Sequence, residues 1–198
     1  LEEEYPKIKK DAKKDNADIW WADETACQNL ANNLKGYAPI GTHNKPVLEH
    51  TAKKFKINMI SAITNKGKSM FSLYDESIKI DSFIEFCKKV IDSNNGKKVF
   101  LSVDNLRVHH AKLVKVWEEE NKDKIKLFYL PAYSPDYNPD EYLNQDFKQS
   151  ANRNDIPQDK EHLRNNTEKY MLSLQKNPQK VANFFKHPKV QYAAQDAS

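Results

Sequence analysis

The strongest constraint on this chain is a proline-fixed connection, LPAYSPDYNPDE, at residues 130–141. It joins an apolar run to a stretch whose apolar residues recur at helical spacing. Its three prolines are Pro131, Pro135 and Pro139. Proline fixes its own φ angle and biases the preceding residue away from helix, so the connection is stiff. Pro139 suits the first turn of a helix, with Asn138 as its candidate cap, and two acids, Asp140 and Glu141, follow at the positive end of the helix dipole.

Strand patterns dominate the first half of the chain. Ile19, Trp20 and Trp21 favour a strand that leads into Asp23. The segments FKINMISAIT and KSMFSLYDE alternate in hydrophobicity on either side of Asn65-Lys66-Gly67, a spacing typical of a hairpin. Residues 2–16 are mostly charged and indicate a frayed helix or a connecting segment.

Helices and strands then alternate. Apolar residues in 83–91 recur at the spacing of an amphipathic helix, KKVFLSVDN predicts a strand that ends at Asp104, and IKLFYLP predicts the last strand. Helices are expected around Leu113 to Trp117 and after Pro139. The order predicts a central mixed five-stranded sheet flanked by helices, an α/β fold, in a single domain over residues 1–198.

Composition excludes several classes of protein. Of the 198 residues, 38% are hydrophobic, but no apolar stretch approaches 18 residues, so neither a membrane span nor a signal peptide is expected. Cys27 and Cys87 lie 60 positions apart without a CxxC motif, which argues against a zinc site or disulfide framework and fits a cytoplasmic protein. With only four glycines there is no glycine-rich phosphate loop, so handling phosphate would require metal ions or basic side chains. Because the chain begins at Leu1, we expect it to be part of a longer protein.

The charge distribution is mildly basic. The net charge is +4, and residues 142–198 carry nine Lys or Arg against six Asp or Glu. A basic surface suits a polyanionic partner such as DNA, although ordinary solvated helix faces explain the same charge equally well.

Three acids stand at positions where they could meet. Asp23 and Asp104 each close a hydrophobic strand, and a third acid begins the helix after the last strand. Carboxylates brought within about 4 to 6 Å repel one another by a few kcal/mol per pair, so a cation is needed to hold them together. Oxygen ligands with open positions suit Mg²⁺ or Mn²⁺. Taken singly, each acid is explained as well by an ordinary turn, cap or first-turn role.

Three blocks of sequence together resemble a known family. WADE at 21–24, VDNLRVHHA at 103–111 and LPAYSPDYNPDE at 130–141 resemble, in order and spacing, the catalytic blocks of DDE transposases of bacterial insertion sequences related to the mariner superfamily. The resemblance runs from about residue 17 to residue 150, and its third block is the most specific. It implies an RNase H-like fold with catalytic, metal-binding acids at Asp23, Asp104 and Glu141, the last two 37 positions apart.

The resemblance also implies a function. Members of the family use two Mg²⁺ or Mn²⁺ ions to hydrolyse DNA at the ends of the element, and the 3′-hydroxyl then attacks target DNA, with TA as the implied target. The implied partners are double-stranded DNA and a second copy of the chain, in the bacterial cytoplasm at the nucleoid. Nothing before Asp23 resembles the helix-turn-helix DNA-binding region of the family, so only a catalytic portion is expected here.

Basic residues near the blocks are candidate nucleic-acid contacts. These are Arg107, His109, His110 and Lys148. A solvated surface explains Arg107 and Lys148 equally well, and an exposed helix start is the simpler interpretation of the two histidines.

The sequence departs from the family pattern at three positions. Ala132 replaces a frequent proline and Asn144 a common tryptophan, and neither is expected to touch the acids. Asp140, where an aliphatic residue is usual, leaves open which of two adjacent acids points inward, and the register favours Glu141. Two other functions stay open: an RNase H-like nuclease without strand transfer, and a catalytically silent DNA-binding or assembly module. Retention of all three acids argues against the second.

Overall fold

The computed structural model describes residues 4–29, 54–131, 134–152 and 155–194. The sequence also predicts an irregular stretch that contains Gly36, Pro39, Gly41 and Pro46, and this stretch lies outside the described residues. The strands are β1 (Asp18–Gln28), β2 (Lys56–Ile63), β3 (Ser69–Tyr74), β4 (Val99–Val103) and β5 (Ile125–Tyr129). The α-helices are α1 (Glu4–Lys14), α2 (Ile80–Ser93), α3 (Lys112–Glu120), α4 (Pro139–Ser150), α5 (Lys160–Gln175), α6 (Pro178–Phe184) and α7 (Gln191–Ala194). Short 3₁₀ turns cover Pro135–Tyr137 and Pro188–Val190. Among these helices none is both long and apolar enough to cross a membrane.

The strands form one mixed sheet in the order β3-β2-β1-β4-β5. The pairs β3-β2 and β2-β1 are antiparallel, whereas β1-β4 and β4-β5 are parallel. Antiparallel neighbours can be joined by a short turn, but parallel neighbours need a crossover, which α2 and α3 provide on the way into β4 and β5. The predicted five-stranded mixed sheet and the hairpin at Asn65-Lys66-Gly67 are both confirmed.

Each face of the sheet is covered by its own hydrophobic core. Helices α2 and α3 pack on one face, over residues that include Trp20, Ile60 and Leu101. Helices α1 and α4 to α7 contribute to the core of the other face, which includes Trp21 and Met59. Neighbouring residues of a strand point to opposite faces, so most residues of β1 and β2 are buried because both faces of these strands are covered.

The first helix differs from expectation. Residues Glu4–Lys14 form α1, so the helical alternative is the right one, but with Tyr5 and Ala12 buried the helix is packed and not frayed. The Tyr5 ring lies 6.0 Å from that of Trp21, so the helix belongs to the core. The packing of α1 is hard to predict from its sequence, because most of its residues are charged and only a few apolar residues face the protein.

The turn between β2 and β3 packs closely against the start of α6. Gly67 has a φ of +87°, and a Cβ there would lie 2.4 Å from the backbone oxygen of Pro178. Gly96 has a φ of +75°, but no atom lies within 4 Å of its added Cβ. Both Gly→Ala changes carry the left-handed backbone penalty of about 1 kcal/mol, and only Gly67→Ala adds a clash of roughly 1–3 kcal/mol.

We therefore expect Gly67→Ala to lower the free energy of unfolding by about 2–4 kcal/mol and Gly96→Ala by about 1 kcal/mol. Urea unfolding of the two variants measures the difference. Equal losses in both variants would contradict the close approach of the hairpin to the start of α6.

Candidate active site

The three predicted acids lie on the wall of one cavity of about 350 Å³. They come from β1, from the residue after β4, and from the first turn of α4. The lining residues are Asp23, Asp104, Asn105, Leu106, Leu130, Pro131, Ser134, Pro135, Asn138 and Glu141. The structure thus brings together side chains that are far apart in sequence.

Asp23 lies within β1, not at a strand end as predicted. The expectation was wrong because β1 runs on to Gln28 by pairing with β2 on its other edge, where Asp23 lies opposite Ser61. The parallel pairing of β1 with β4 ends at Trp21 and Ser102. Asp23 lies two residues beyond Trp21, and Asp104 lies two residues beyond Ser102, so the same register brings the two acids side by side. Asp104 does follow the end of its strand, as expected.

The environment of Asp23 is crowded with carboxyl groups. Burial raises the pKa of Asp23 well above its usual value, and the carboxyls of Glu141 and Asp140 raise it further. A hydrogen bond from Asn144 acts in the opposite direction. Such an arrangement favours either a proton or a cation at Asp23.

Asn144 is a site residue that sequence reasoning missed. Its Nδ2 atom donates to Asp23 Oδ2 over 2.8 Å, and its side chain is buried. The expectation that Asn144 does not touch the acids is therefore wrong. It follows Glu141 by three positions on α4, and residues at that spacing share a helix face. That spacing was the available signal.

The proline-fixed connection anchors the start of α4 to β1. Pro139 occupies the first turn, as predicted, and the Asn138 side chain accepts a hydrogen bond from the Asp140 amide over 3.1 Å. Asn138 also donates to the carbonyl of Ala22, the residue before Asp23, over 2.9 Å. One side chain therefore caps the helix that carries Glu141 and ties it to the strand that carries Asp23.

The two adjacent acids of α4 have different surroundings. Glu141 lines the cavity, whereas Asp140 is fully buried and accepts a hydrogen bond from the Ser61 hydroxyl over 2.5 Å. Burial raises the pKa of Asp140 to about 8, with the Ser61 bond lowering it and Glu141 raising it. The family register places Glu141, and not Asp140, with the other two acids, and this agrees with the position of Glu141 on the cavity wall.

Asp104 is held by its own loop. Its Oδ1 atom accepts from the Leu106 amide over 3.2 Å and lies 3.1 Å from Nδ1 of His109. The expected exposed helix start is wrong for His109, because α3 begins later, at Lys112, and the residue is only 3% exposed. Burial lowers the pKa of His109, but hydrogen bonds to Asp104 and Glu24 outweigh this effect and raise it to about 9.

The other predicted DNA contacts lie outside the cavity. Arg107 is exposed in the loop after Asp104, and Lys148 is exposed in the last turn of α4. His110 is half-buried and stacks on Tyr129, with ring centroids 4.2 Å apart. None of these three side chains is among the described residues that line the cavity.

The chemistry of the donors fits a divalent cation. Asp23, Asp104 and Glu141 offer hard carboxylate oxygens around one opening, and the crowding at Asp23 is of the kind that a cation relieves. Within the described ranges, however, no three Asp, Glu, His or Cys side chains are grouped closely enough to hold one ion as they stand. The site offers suitable ligands, not a preformed cage.

Several solved structures of the Mos1 transposase have a similar fold. A pre-cleavage Mos1 transpososome aligns with a TM-score of 0.66 at 13% identity, over 95% of this chain and 60% of that chain. The Mos1 mariner paired-end complex with Mn aligns at 0.64 and 14% identity, over 95% and 60% of the two chains. The catalytic domain of Mos1 mariner transposase aligns at 0.58 and 12% identity, over 95% and 89%. These similarities confirm the RNase H-like fold.

The chain spans about 60% of the length of the transposase chains in those complexes. No curated protein matches the sequence significantly. The model of one protein family, described as DDE superfamily endonuclease, matches residues 18–164, which include all three acids and the connection between β5 and α4. This chain therefore belongs to the DDE superfamily of endonucleases.

Proposed function

We propose that this chain is the catalytic domain of a DNA transposase that hydrolyses phosphodiester bonds at the ends of its element and then joins the 3′ ends to target DNA. One observation carries the proposal: Asp23, Asp104 and Glu141, from three separate elements, line one cavity in a member of the DDE endonuclease family. The proposed residues match the family blocks in order and spacing.

The three acids would hold two Mg²⁺ or Mn²⁺ ions. When bound, such ions activate the attacking oxygen and stabilise the leaving 3′ oxygen of an in-line displacement. The chain itself supplies the positions of the ligands. Asn144 orients Asp23 through its 2.8 Å hydrogen bond, and Asn138 fixes the helix that carries Glu141. No side chain acts as a covalent nucleophile in this scheme.

The proposed partners are the ends of the element, target DNA and a second copy of the chain. The Mos1 structures with this fold include a paired-end complex with the left transposon end and a strand transfer complex, which supports a DNA partner here. Arg107 and Lys148, both exposed, remain proposed phosphate contacts. We propose that the protein acts in the bacterial cytoplasm, at the nucleoid.

Cleavage tests the first half of this function. The purified chain is incubated with supercoiled plasmid and Mg²⁺, Mn²⁺, Ca²⁺ or EDTA. We expect nicked and linear products with Mg²⁺ and Mn²⁺ and none with EDTA. Cleavage that is equally fast in EDTA would contradict a metal-dependent mechanism.

Strand transfer tests the second half. A duplex that carries the inverted repeat bordering the encoding gene, pre-cut to expose its 3′-hydroxyl, is incubated with plasmid and Mg²⁺. With this 3′-ended strand labelled, a transposase joins the label to the plasmid. A nuclease of the same fold only shortens or nicks DNA. A matched duplex with a 3′-deoxy end is the control, since it has no attacking group.

A further inference from the structure

The ring of His109 connects elements on the side of the sheet covered by α2. Its Nδ1 atom lies 3.1 Å from Asp104 Oδ1 and 3.0 Å from the Asp104 carbonyl oxygen, and its Nε2 atom lies 3.3 Å from Glu24 Oε1. The ring also packs against Phe83 of α2, with centroids 4.4 Å apart. Both ring nitrogens are therefore used inside the protein.

The backbone of His109 is held as well. Its carbonyl accepts a hydrogen bond from the Tyr129 hydroxyl of β5 over 3.2 Å, and its amide donates to the Leu106 carbonyl over 3.1 Å. A ring that is fixed by its backbone, by an aromatic neighbour and by two acids has little freedom to turn.

Glu24 extends this connection to β1. It directly follows Asp23, and successive side chains of a strand point to opposite faces, so the two acids are presented on different sides of β1. Asp23 meets α4 through Asn144, whereas Glu24 meets His109. The path Glu24–His109–Asp104 therefore links β1, which carries the first proposed metal ligand, to the loop that carries the second.

We propose that His109 and Glu24 are positioning residues that fix the orientation of the Asp104 carboxylate toward the cavity. The proposal rests on the proposed function, because orientation matters if Asp104 binds an ion. Asp104 is 38% exposed and stands on a loop, so its own packing does little to restrain it. With Oδ1 held by the Leu106 amide and the His109 ring, the carboxylate keeps one orientation. Partners that hydrogen-bond a metal ligand commonly contribute about 10- to 100-fold to metal affinity.

Substitutions of His109 separate positioning from simple filling of space. His109→Leu keeps an apolar side chain beside Phe83 but removes the ring contacts to Asp104 and Glu24. His109→Asn can place an amide N–H near the position of Nδ1. His162→Asn is the control, because His162 also pairs with an acid, Asp155, over 3.0 Å and lies in the first turn of α5, outside the cavity. Glu24→Gln keeps the size of Glu24 and removes its charge.

The first readout is Mn²⁺ affinity, measured on the whole chain by the loss of free Mn²⁺ signal in electron paramagnetic resonance. We expect His109→Leu to weaken Mn²⁺ binding by about 10- to 100-fold, and Glu24→Gln and His109→Asn to weaken it less. His162→Asn should bind as the wild type does. Thermal melting confirms that each variant is folded; if His109→Leu does not fold, the other two variants carry the comparison.

The second readout needs no metal. The ¹³C carboxyl resonance of Asp104 should move in His109→Leu and stay in place in His162→Asn. An unmoved resonance, or wild-type Mn²⁺ affinity in folded His109→Leu, would overturn the positioning role. Absence of Mn²⁺ binding by the wild type, with the Asp104 resonance still responding to His109→Leu, would leave positioning intact and reject the proposed function instead.

Discussion

Replacing any one of Asp23, Asp104 and Glu141 by alanine is expected to abolish Mg²⁺-dependent DNA cleavage while the fold is retained. All three line the same cavity, so each change removes one oxygen donor from the proposed ion sites. A fall in rate of about a thousandfold or more corresponds to roughly 4 kcal/mol of lost transition-state stabilisation. Plasmid nicking at saturating Mg²⁺ measures it, with circular dichroism to verify folding.

Asp136→Ala is the matched control for the acid series. Asp136 belongs to the same connection, but it is exposed, forms an ion pair with Lys189, and does not line the cavity. We expect its variant to cleave at the wild-type rate. Full activity in Glu141→Ala together with loss in Asp140→Ala would show that Asp140, and not Glu141, is the catalytic acid.

Glu141→Ala should also stabilise the metal-free protein. Asp23 is buried among carboxyl groups that raise its pKa, so removing a neighbouring charge relieves repulsion. Mn²⁺ should raise the melting temperature of the wild type, because a ligand that binds only the folded state stabilises it. Glu141→Ala should respond less to Mn²⁺, and an unchanged response would show that Glu141 does not bind the ion.

The architecture was predictable because hydrophobic periodicity records burial. The alternation in β2 and the helical spacing in α2 each report which side chains face a core, and both elements are found as expected. Pro139 and Asn138 act through the backbone beside them, so the start of α4 was also readable from the sequence.

Contacts between distant elements were not predictable in the same way. The extension of β1 past Asp23 depends on its pairing with β2, which local sequence does not specify. His109 looked like an exposed residue because its burial arises from Phe83 and Glu24, which precede it by 26 and 85 positions. The contact of Asn144 with Asp23 could not be predicted for the same reason, since the two residues lie 121 positions apart.

Asp140 gives the second large expected effect, a stability that falls as the pH rises. The side chain is fully buried between α4 and β2, and its pKa rises from 3.8 to about 8 because burial disfavours the charged form. Below pH 3.8 the carboxyl is protonated in both the folded and the unfolded chain. Between these two values the folded state retains a proton that the unfolded state releases, so the unfolded state gains relative stability as the pH rises.

The slope is about 1.4 kcal/mol per pH unit within this window, and the full loss is on the order of 5 kcal/mol. Asp140→Asn removes the titration and keeps an oxygen that can accept the Ser61 hydrogen bond. We therefore expect Asp140→Asn to be more stable than the wild type at pH 8 and to lose most of this advantage at pH 4. Urea unfolding of the metal-free proteins at half-unit pH steps measures the effect.

Two comparisons isolate the contribution of Asp140. Asp136→Asn changes an exposed acid near the same helix and should leave the pH dependence of the wild type unaltered. His109 adds a loss of its own, since a histidine whose pKa rises to about 9 stabilises the fold below 6.5 and ceases to do so as the pH passes 9. The Asp140→Asn protein should retain that loss at high pH, and between pH 4 and 8 it should keep only the loss that the raised pKa of Asp23 causes. If the free energy of unfolding of Asp140→Asn falls with pH as steeply as that of the wild type between pH 4 and 8, the pKa of Asp140 is not raised in the folded protein. The folded protein would then stabilise the buried carboxylate as well as water does.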